Sequence, residues 1–462
     1  MSLPALPVEK PIPNKDRLPV LDGIRFLAAL SILLGHAWGD ILKFDDFPFF
    51  SSIGGMISMY GMPMFFVLSG FVIHYNYAEL FKTMGTRWAI CEFFAARVAR
   101  IYPLFIASVF VGYSIQGLFL WLGRYDMPFA LLTFHNLTLT QSWFYQIMFE
   151  RLMLYFGFGM GWTISTELFF YIAFVVLVIP LGRKKNPRQL LIATSVYAVA
   201  VIVLLLSIRH SVAEIGVSHL HAATAGPYRF SWWFFYFSPY TRVFEFVLGC
   251  MTAQMYLIVK DRKPSSREIS AGLVIVLFSL GLILLAATSY LVEPSLPVMV
   301  AANHLKEDFG LAVPIALIIF CVARYPSPMA TVLASRPMVL LGERSYSIYA
   351  VHVLMILLFF RPGSAFTPVA FFEAFIRFCL VIAFTLILAS ATYRLIEVPA
   401  RAGLRRFFER RIIAGFGARA ENVSGGEYRR TTVLKLALIF AAILALCVWY
   451  QFKIIPLYGT II

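Results

Sequence analysis

The sequence predicts an all-α fold, a polytopic membrane bundle of about eleven transmembrane helices. The chain has 462 residues, of which 60% are hydrophobic and 14% charged, and its mean hydropathy is +0.80. A soluble domain carries about 25% charged residues. The apolar residues are gathered into long segments, and about 20 consecutive apolar residues cross the hydrocarbon core of a bilayer. These observations exclude a soluble globular domain.

Eleven apolar segments account for the predicted helices, and the eighth is short for a span. In chain order they are 20–42, 56–77, 100–122, 161–182, 189–208, 239–259, 269–291, 309–324, 337–361, 369–396 and 433–453.

Positive charges are concentrated in alternate loops. The fourth–fifth loop reads "GRKKNPR", the sixth–seventh loop reads "KDRKPSSR", and the opposite loops are acidic or sparsely charged, as in "KFDD" and "HLKED". Because Lys and Arg mark cytoplasmic loops, we expect a cytoplasmic N-terminus and an external C-terminus. Topology and anionic membrane lipids then account for the net charge of +15 without a nucleic-acid partner.

This topology divides the chain into four parts. Residues 1–19 are a cytoplasmic segment, 20–402 the main membrane domain, 403–432 a basic cytoplasmic segment, and 433–462 the additional C-terminal transmembrane helix.

The first span, "LDGIRFLAALSILLGH", carries two ionisable residues that are costly to insert. Arg25 lies near the cytoplasmic end, and His36 lies about 16 Å further along the helix. Eleven residues at about 100° each end about 20° beyond three full turns, so the two side chains share one face. Ionisable residues inside a membrane usually face the protein interior and mark function.

Ionisable residues of the fourth and sixth spans are predicted at the depth of His36. Glu167 lies about 9 Å from the outer end of its span, and Arg242 and Glu245 are neighbours three residues apart. We therefore expect His36, Glu167, Arg242 and Glu245 to gather in one outer cavity that holds a base, carboxylates and a cation. Arg242 and Glu245 are equally consistent with a structural ion pair.

A second group is predicted near the cytoplasmic side. It contains Arg25, Ser69, His74, Arg97 and Arg100. Arginines three residues apart share a helix face, and paired guanidinium groups suit phosphate because each donates a planar pair of hydrogen bonds. Arginines at this level are also ordinary membrane anchors.

Two further positions, His352 and Glu397, have two readings. His352 lies near mid-membrane, where an ionisable residue indicates function, although core packing is the alternative. Glu397 lies at the level of the arginines and could pair with Arg394 or Arg401. The five cysteines have no paired spacing, so we expect neither a disulfide framework nor a metal site.

Taken together, these segments resemble the acyltransferase-3 family of bacterial membrane O-acyltransferases. The resemblance covers about residues 20–402. The segments that carry it, in chain order, are "LDGIRFLAALSILLGH", "GMPMFFVLSGFVI", "FFAARVARIYPLF", "WTISTELFFY", "RVFEFVLG", "SYSIYAVH" and "YRLIEVPAR".

The resemblance implies ten core spans in the bacterial cytoplasmic (inner) membrane and transfer of an acyl group, commonly acetyl from acetyl-CoA, to a hydroxyl of a glycan or similar acceptor. The family's arginine–histidine signature maps onto Arg25 and His36, and its paired arginines map onto Arg97 and Arg100. Its serine–glycine–phenylalanine motif begins at Ser69, and its intramembrane glutamate maps onto Glu167. Some members lead from an eleventh span into an SGNH-type hydrolase domain, but here the last span ends in "KIIPLYGTII", so we expect a stand-alone member.

These considerations give a hypothesis for the site. Acyl-CoA enters from the cytoplasm, and neutral His36 removes a proton from the acceptor hydroxyl, a task that suits an imidazole. Glu167 orients the imidazole. The assigned residues are, as catalytic groups, His36, Glu167 and Arg25; for the donor, Arg97, Arg100 and Ser69; and for the acceptor, Arg242, Glu245, Trp162 and His352. The expected partners are a glycan or lipid-linked saccharide and membrane lipids, and a homo-oligomer is compatible with the sequence.

Two other classes of protein fit some of the same residues. A proton-coupled transporter uses buried His, Glu and Arg, but the sequence lacks the inverted repeat that many transporters show. A structural partner in a polysaccharide-export complex would tolerate neutralisation of its buried charges. The sequence favours the acyltransferase over both.

Overall fold

A computed structural model shows a helical bundle. It describes residues 17–44, 46, 48–83, 86–115, 126–148, 151–156, 160–220, 229–288, 309–361, 365–416 and 430–454. Most of the predicted N-terminal segment, residues 417–429 of the basic segment and the end of the chain lie outside the described residues.

The first half of the chain forms eight helices of at least four residues and one short hairpin. The helices are α1 (Pro19–Ile41), α2 (Pro48–Ser58), α3 (Gly61–Tyr77), α4 (Leu80–Thr83), α5 (Thr86–Ile115), α6 (Asp126–Thr138), α7 (Gly161–Gly182) and α8 (Pro187–Leu220). Between α6 and α7, strands β1 (Ile147–Met148) and β2 (Arg151–Leu152) pair antiparallel and lead into a 3₁₀ turn, Met153–Tyr155.

The second half continues with ten helices and three π-helical turns. They are α9 (Phe230–Trp232), α10 (Pro239–Val259), α11 (Ser266–Thr288), α12 (Ala312–Arg324), α13 (Pro328–Leu333), α14 (Arg336–Glu343), α15 (Ser345–Phe359), α16 (Pro368–Thr392), α17 (Val398–Phe416) and α18 (Arg430–Trp449). The π-helical turns are Trp233–Phe237, Tyr393–Glu397 and Tyr450–Ile454.

Within the described parts of the chain, nine helical stretches are long and apolar enough to cross a membrane. Two shorter apolar helices, α12 and α15, coincide with the eighth predicted segment and with most of the ninth. The all-α membrane bundle is therefore confirmed, and the count of eleven spans stays a prediction.

Two predicted boundaries are wrong. The third helix, α5, begins at Thr86 rather than near residue 100, so Arg97 and Arg100 lie within the helix and not at its end. The predicted span 337–361 is divided into α14 and α15, because Arg344 leaves helical geometry with φ −94° and ψ 3°. Hydropathy missed the α5 boundary because charged residues, Arg87, Glu92 and Arg97, interrupt the first half of this helix.

Close packing of α3 on α10 positions the serine–glycine–phenylalanine motif. A Cβ on Gly70 would lie 2.0 Å from the Phe246 carbonyl oxygen, and one on Gly249 would lie 1.9 Å from that of Val67. Any larger residue would push the helices apart. Because Ser69 is rotated about 100° from Gly70, it faces a cavity while Gly70 faces α10.

The last helix belongs to the same bundle. α18 packs against α7, and the ring of Phe440 lies 5.5 Å from that of Phe169. In the π-helical turn that follows, the Gln451 side chain accepts a hydrogen bond from the backbone N–H of Tyr145 at 2.7 Å and donates one to its carbonyl at 3.0 Å. These two bonds fix the end of the bundle to the loop before β1.

Candidate active site

A cavity lies among α1, α3, α5, α7 and α15. Its empty volume is about 760 Å³, part of which is open to the surroundings. It extends over about 12 Å along α7, from Thr163 to Tyr171. Its lining includes Arg25, Ser69, Arg97, Arg100, Thr163, Glu167, Tyr171, Ser345, Tyr346 and Tyr349. The cavity therefore brings together all three residues that the sequence assigned to the acyl donor, Ser69, Arg97 and Arg100.

Three arginines, Arg25, Arg97 and Arg100, line this cavity and define what we call its arginine end. The buried Arg97 guanidinium lies 4.8 Å from the ring centre of Tyr77, and its Nη2 donates to the Tyr77 hydroxyl at 2.7 Å. Among the described residues, none accepts a hydrogen bond from the buried Arg97 Nε. An anion in the cavity would satisfy this donor.

A shared carboxylate holds Arg25. Asp22 Oδ1 accepts a hydrogen bond from Arg25 Nη1 at 2.7 Å, one helical turn away. Its Oδ2 accepts from Arg17 Nε at 3.0 Å and from Arg17 Nη2 at 2.8 Å. Arg17 also bonds Glu343 at 2.6 Å. The network ties the start of α1 to α14 and orients Arg25. The sequence did not predict this network.

Glu167 lies among the arginines rather than beside His36. Its Oε2 accepts a hydrogen bond from the Tyr171 hydroxyl at 2.6 Å. Its carboxylate interacts electrostatically with Arg25 and Arg97. The expected grouping of Glu167 with His36 is therefore wrong. Helix geometry predicted only a position along α7 for Glu167, and such a position does not determine which neighbouring helix the side chain faces.

Two residues from the end of the bundle extend the arginine end. Glu397 is buried and accepts a hydrogen bond from the Ser347 hydroxyl at 2.9 Å, and its charge interacts with Arg100, Arg25 and Arg401. Arg401 in turn interacts electrostatically with Arg100 and Arg97. The sequence placed Glu397 and Arg401 at the same level along the helices as Arg97 and Arg100, and the structure agrees with that placement.

His36 pairs with His352 of α15. Its Nδ1 lies 3.1 Å from His352 Nε2, and the two rings are nearly parallel, with centres 5.3 Å apart and planes inclined by 17°. His352 Nδ1 lies 2.6 Å from the Tyr349 carbonyl oxygen. His352 is fully buried, whereas His36 is half-buried.

The histidine pair adjoins the cavity through Tyr349. The Tyr349 ring lines the cavity and lies 5.5 Å from the ring of His352. Its hydroxyl accepts a hydrogen bond from Thr163 Oγ1 at 3.1 Å. Thr163 is at the opposite end of the lining on α7 from Tyr171, which lies by the arginines. The pair therefore adjoins the end of the cavity away from the arginines.

Arg242 and Glu245 form a separate, closed pair. Arg242 Nη1 and Glu245 Oε1 are 2.8 Å apart, and their side chains are 1% and 0% exposed. Arg242 Nε donates to the Tyr236 carbonyl at 2.7 Å. Among the described residues, the cavity lining includes neither of them, so the expected outer cavity with His36 is wrong and the alternative of a structural ion pair fits the geometry.

Trp162 and His74 also take part in packing. Trp162 is buried, with its ring 5.0 Å from that of Phe237 and 5.6 Å from that of Tyr236. His74 is buried, and its Nε2 lies 2.8 Å from Gln254 Oε1, across the contact between α3 and α10. Among the described residues, no group of three or more His, Cys, Asp or Glu side chains is arranged to hold a metal ion.

With this geometry in place, comparison with known proteins gives the family. The profile described as "Acyltransferase domain", that of the acyltransferase-3 family, matches residues 18–394. The chain belongs to this family. It is a multi-pass membrane protein of the acyltransferase-3 family, and no solved structure matches it.

Relatives are similar over most of this chain. "Putative peptidoglycan O-acetyltransferase YrhL" of Bacillus subtilis is 26% identical over 86% of the chain and 56% of its own length. "O-acetyltransferase OatA" of Staphylococcus aureus is 25% identical over 83% of the chain and 57% of its length. "Acyltransferase MdmB" of Streptomyces mycarofaciens is 28% identical over 74% of the chain and 80% of its length. The chain thus spans somewhat more than half the length of the first two.

Sequence reasoning missed two contacts in this acyltransferase-3 bundle. The first is the hold of Asp22 on Arg25, which the three-residue spacing in "LDGIR" could have indicated. The second is the pairing of His36 with His352. Each histidine was placed inside the membrane, but nothing in a single sequence pairs one span with another.

Proposed function

We propose that this protein transfers an acyl group, acetyl in the simplest case, from cytoplasmic acyl-CoA to a hydroxyl of a glycan presented at the outer side of the membrane. The observation that carries the proposal is one cavity with three arginines at one end and a histidine pair beside the other. Such a cavity allows an anionic donor and a hydroxyl acceptor to approach from opposite ends.

The donor's phosphates bind the arginine end. Arg97 and Arg100 supply planar donors that match phosphate oxygens, and the unused Arg97 Nε adds a further donor. Arg25 lies in the same lining and is held by Asp22, so it can fix the chain nearer the thioester. Glu167 interacts with Arg25 and Arg97 and limits the repulsion between the arginines.

The reaction needs one base, and His36 supplies it. His36 accepts the proton of the acceptor hydroxyl while that oxygen attacks the thioester carbon. The carbon–sulfur bond then breaks, and the thiolate of coenzyme A receives the proton from His36. One ester and one thiol form, and the imidazole returns to its neutral state.

A glycan is the acceptor class that the relatives favour, since one of them bears the name of a peptidoglycan O-acetyltransferase. The aromatic side chains near Trp162 offer faces on which sugar rings can stack, although in the structure they pack mainly on one another. We therefore assign Trp162 to the wall of the acceptor path and leave Arg242 and Glu245 to support that wall.

The test uses the full chain in lipid nanodiscs with labelled acetyl-CoA and the disaccharide of N-acetylglucosamine and N-acetylmuramic acid. Label in the disaccharide, as an ester released by mild base, is the expected result. His36→Ala should lower transfer at least 100-fold, because a general base contributes about 10²–10⁴-fold. His210→Ala is the matched control, since His210 lies on α8 with its side chain 86% exposed.

Two results would overturn the proposal. One is near-normal transfer by a folded His36→Ala protein. The other is flux of the disaccharide across proteoliposomes without any transfer of label, which would favour a transporter. Labelling of a different host glycan in place of the disaccharide would keep the reaction and correct the acceptor.

A further inference from the structure

The partner of His36 has a chemical consequence that its sequence position does not reveal. In a neutral imidazole one ring nitrogen donates a hydrogen bond and the other accepts one. The neighbouring groups determine which ring nitrogen donates and which accepts. A backbone carbonyl fixes these roles for His352, and His352 then fixes them for His36.

The Tyr349 carbonyl can only accept, so His352 Nδ1, at 2.6 Å, must carry a proton and donate it. A second proton on Nε2 would make His352 a cation. His352 is 0% exposed, and its ring nitrogens face a carbonyl oxygen and another imidazole rather than a carboxylate. Burial of a charge without such a counter-ion is costly. His352 is therefore neutral, and its Nε2 accepts.

The tautomer of His36 follows from that of His352. Since His352 Nε2 accepts at 3.1 Å, His36 Nδ1 must donate. Nε2 of His36 is then the unprotonated nitrogen. Among the described residues, none forms a hydrogen bond with it. The nitrogen that can take a proton is thus the one left open for a substrate.

We propose that His352 is the positioning residue of the reaction: it holds His36 in the tautomer whose Nε2 is the base. The expected effect on kcat rests on the proposed function. The tautomer of His36 rests on geometry alone. His352 also offers its Nε2 lone pair to the N–H of the imidazolium that forms when His36 takes the hydroxyl proton. Both ring nitrogens of His352 have protein partners, which favours this role over the substrate contact first assigned to it.

The tautomer can be measured without any substrate. Histidines labelled with ¹⁵N in the full chain in nanodiscs give distinct shifts for protonated and unprotonated ring nitrogens, and the His36 signal is the one lost in His36→Gln. We expect protonated Nδ1 and unprotonated Nε2. Protonated Nε2 on His36 in the wild-type protein would overturn the proposal, whatever the activity.

Two variants separate positioning from packing. His352→Gln keeps an acceptor oxygen near the position of Nε2, whereas His352→Met fills similar space with only a thioether. With acetyl-CoA and the disaccharide, we expect His352→Met to lower kcat by about 100-fold and to leave both KM values within about threefold, because a base in the wrong tautomer fails at proton transfer. His352→Gln should remain within about tenfold of the wild-type kcat.

The outcomes are decisive in each direction. Equal kcat values for the Gln and Met variants, or a loss confined to KM, would overturn the positioning role. Should one variant fail to fold, the ¹⁵N shifts of His36 in the wild-type protein still decide the tautomer. Failure of the proposed function would instead show as activity that survives His36→Ala, a result that leaves the tautomer measurement intact.

Discussion

Two arginine–carboxylate pairs in this protein look alike in sequence and differ in use. Asp22 and Arg25 are three residues apart on α1 and are bonded at 2.7 Å. Arg242 and Glu245 are three residues apart on α10 and are bonded at 2.8 Å. The first pair lies by a cavity and shares its carboxylate with Arg17, whereas the second is sealed among packed helices.

The difference shows that local spacing creates an ion pair but does not give it a role. In the open pair, beside the cavity, the Asp22 carboxylate keeps its hydrogen bonds from Arg17 if Arg25 turns to a ligand. A closed pair has little room for a ligand, and its partners hold each other and the adjoining turn at Tyr236. The same spacing thus places one pair beside a cavity and the other among packed side chains.

The largest effect is expected at the closed pair. Arg242→Met removes the arginine that bonds Glu245, and loss of one partner of a buried ion pair costs about 3–5 kcal/mol. We expect a large fall in the thermal unfolding midpoint in detergent. Arg242→Met combined with Glu245→Leu is the control and should recover most of the loss. A stable single variant would contradict the structural role.

At the arginine end, Arg97→Ala combined with Arg100→Ala should weaken the binding of acetyl-CoA and leave the fold intact. Hydrogen bonds to charged groups contribute about 1.5–3 kcal/mol each, so we expect KM for acetyl-CoA to rise about 100-fold. A dephospho-CoA thioester lacks the 3′-phosphate of coenzyme A. Its inhibition constant as a competitor, compared with KM for acetyl-CoA, measures what that phosphate contributes to binding. Arg262→Ala, on an exposed side chain outside the cavity, is the control. Unchanged KM would place the donor elsewhere.

Arg25→Gln tests the open pair directly. Asp22 keeps two hydrogen bonds from Arg17 after this change, so the unfolding midpoint should move little, in contrast to Arg242→Met. Transfer should fall about tenfold, as expected for the loss of one charge-assisted hydrogen bond worth about 1.5 kcal/mol, the low end of the range. A midpoint shift as large as that of Arg242→Met would remove the distinction between the two pairs.

The smallest effect is expected at the exposed pair of Arg262 and Glu268. Arg262 lies in the loop before α11 and Glu268 in the first turn of that helix, and the arginine side chain is 65% exposed. Exposed ion pairs contribute little to stability, because solvent and salt screen the charges. Glu268→Gln should therefore change neither the unfolding midpoint nor transfer measurably, and a clear loss of either would mean that charge at this loop matters in a way the comparison does not explain.

Much of the fold could be read from the chain, because long apolar segments have one outcome in a bilayer. The membrane bundle, and the order of its segments up to the last helix, follow from hydropathy. The boundaries of α5 and the break at Arg344 do not, since they depend on packing against other helices. The site divides in the same way. Arg25, Ser69, Arg97 and Arg100 were expected together and share one cavity.

By itself, the sequence determined the class of protein and the helix faces on which ionisable residues lie, because hydropathy and helix periodicity fix these. Only the tertiary structure decided the neighbours across helices. It moved Glu167 to the arginines, closed the pair of Arg242 and Glu245, and gave His36 its partner His352. Rotation and neighbour choice arise from side-chain packing between spans, which a single sequence does not encode locally.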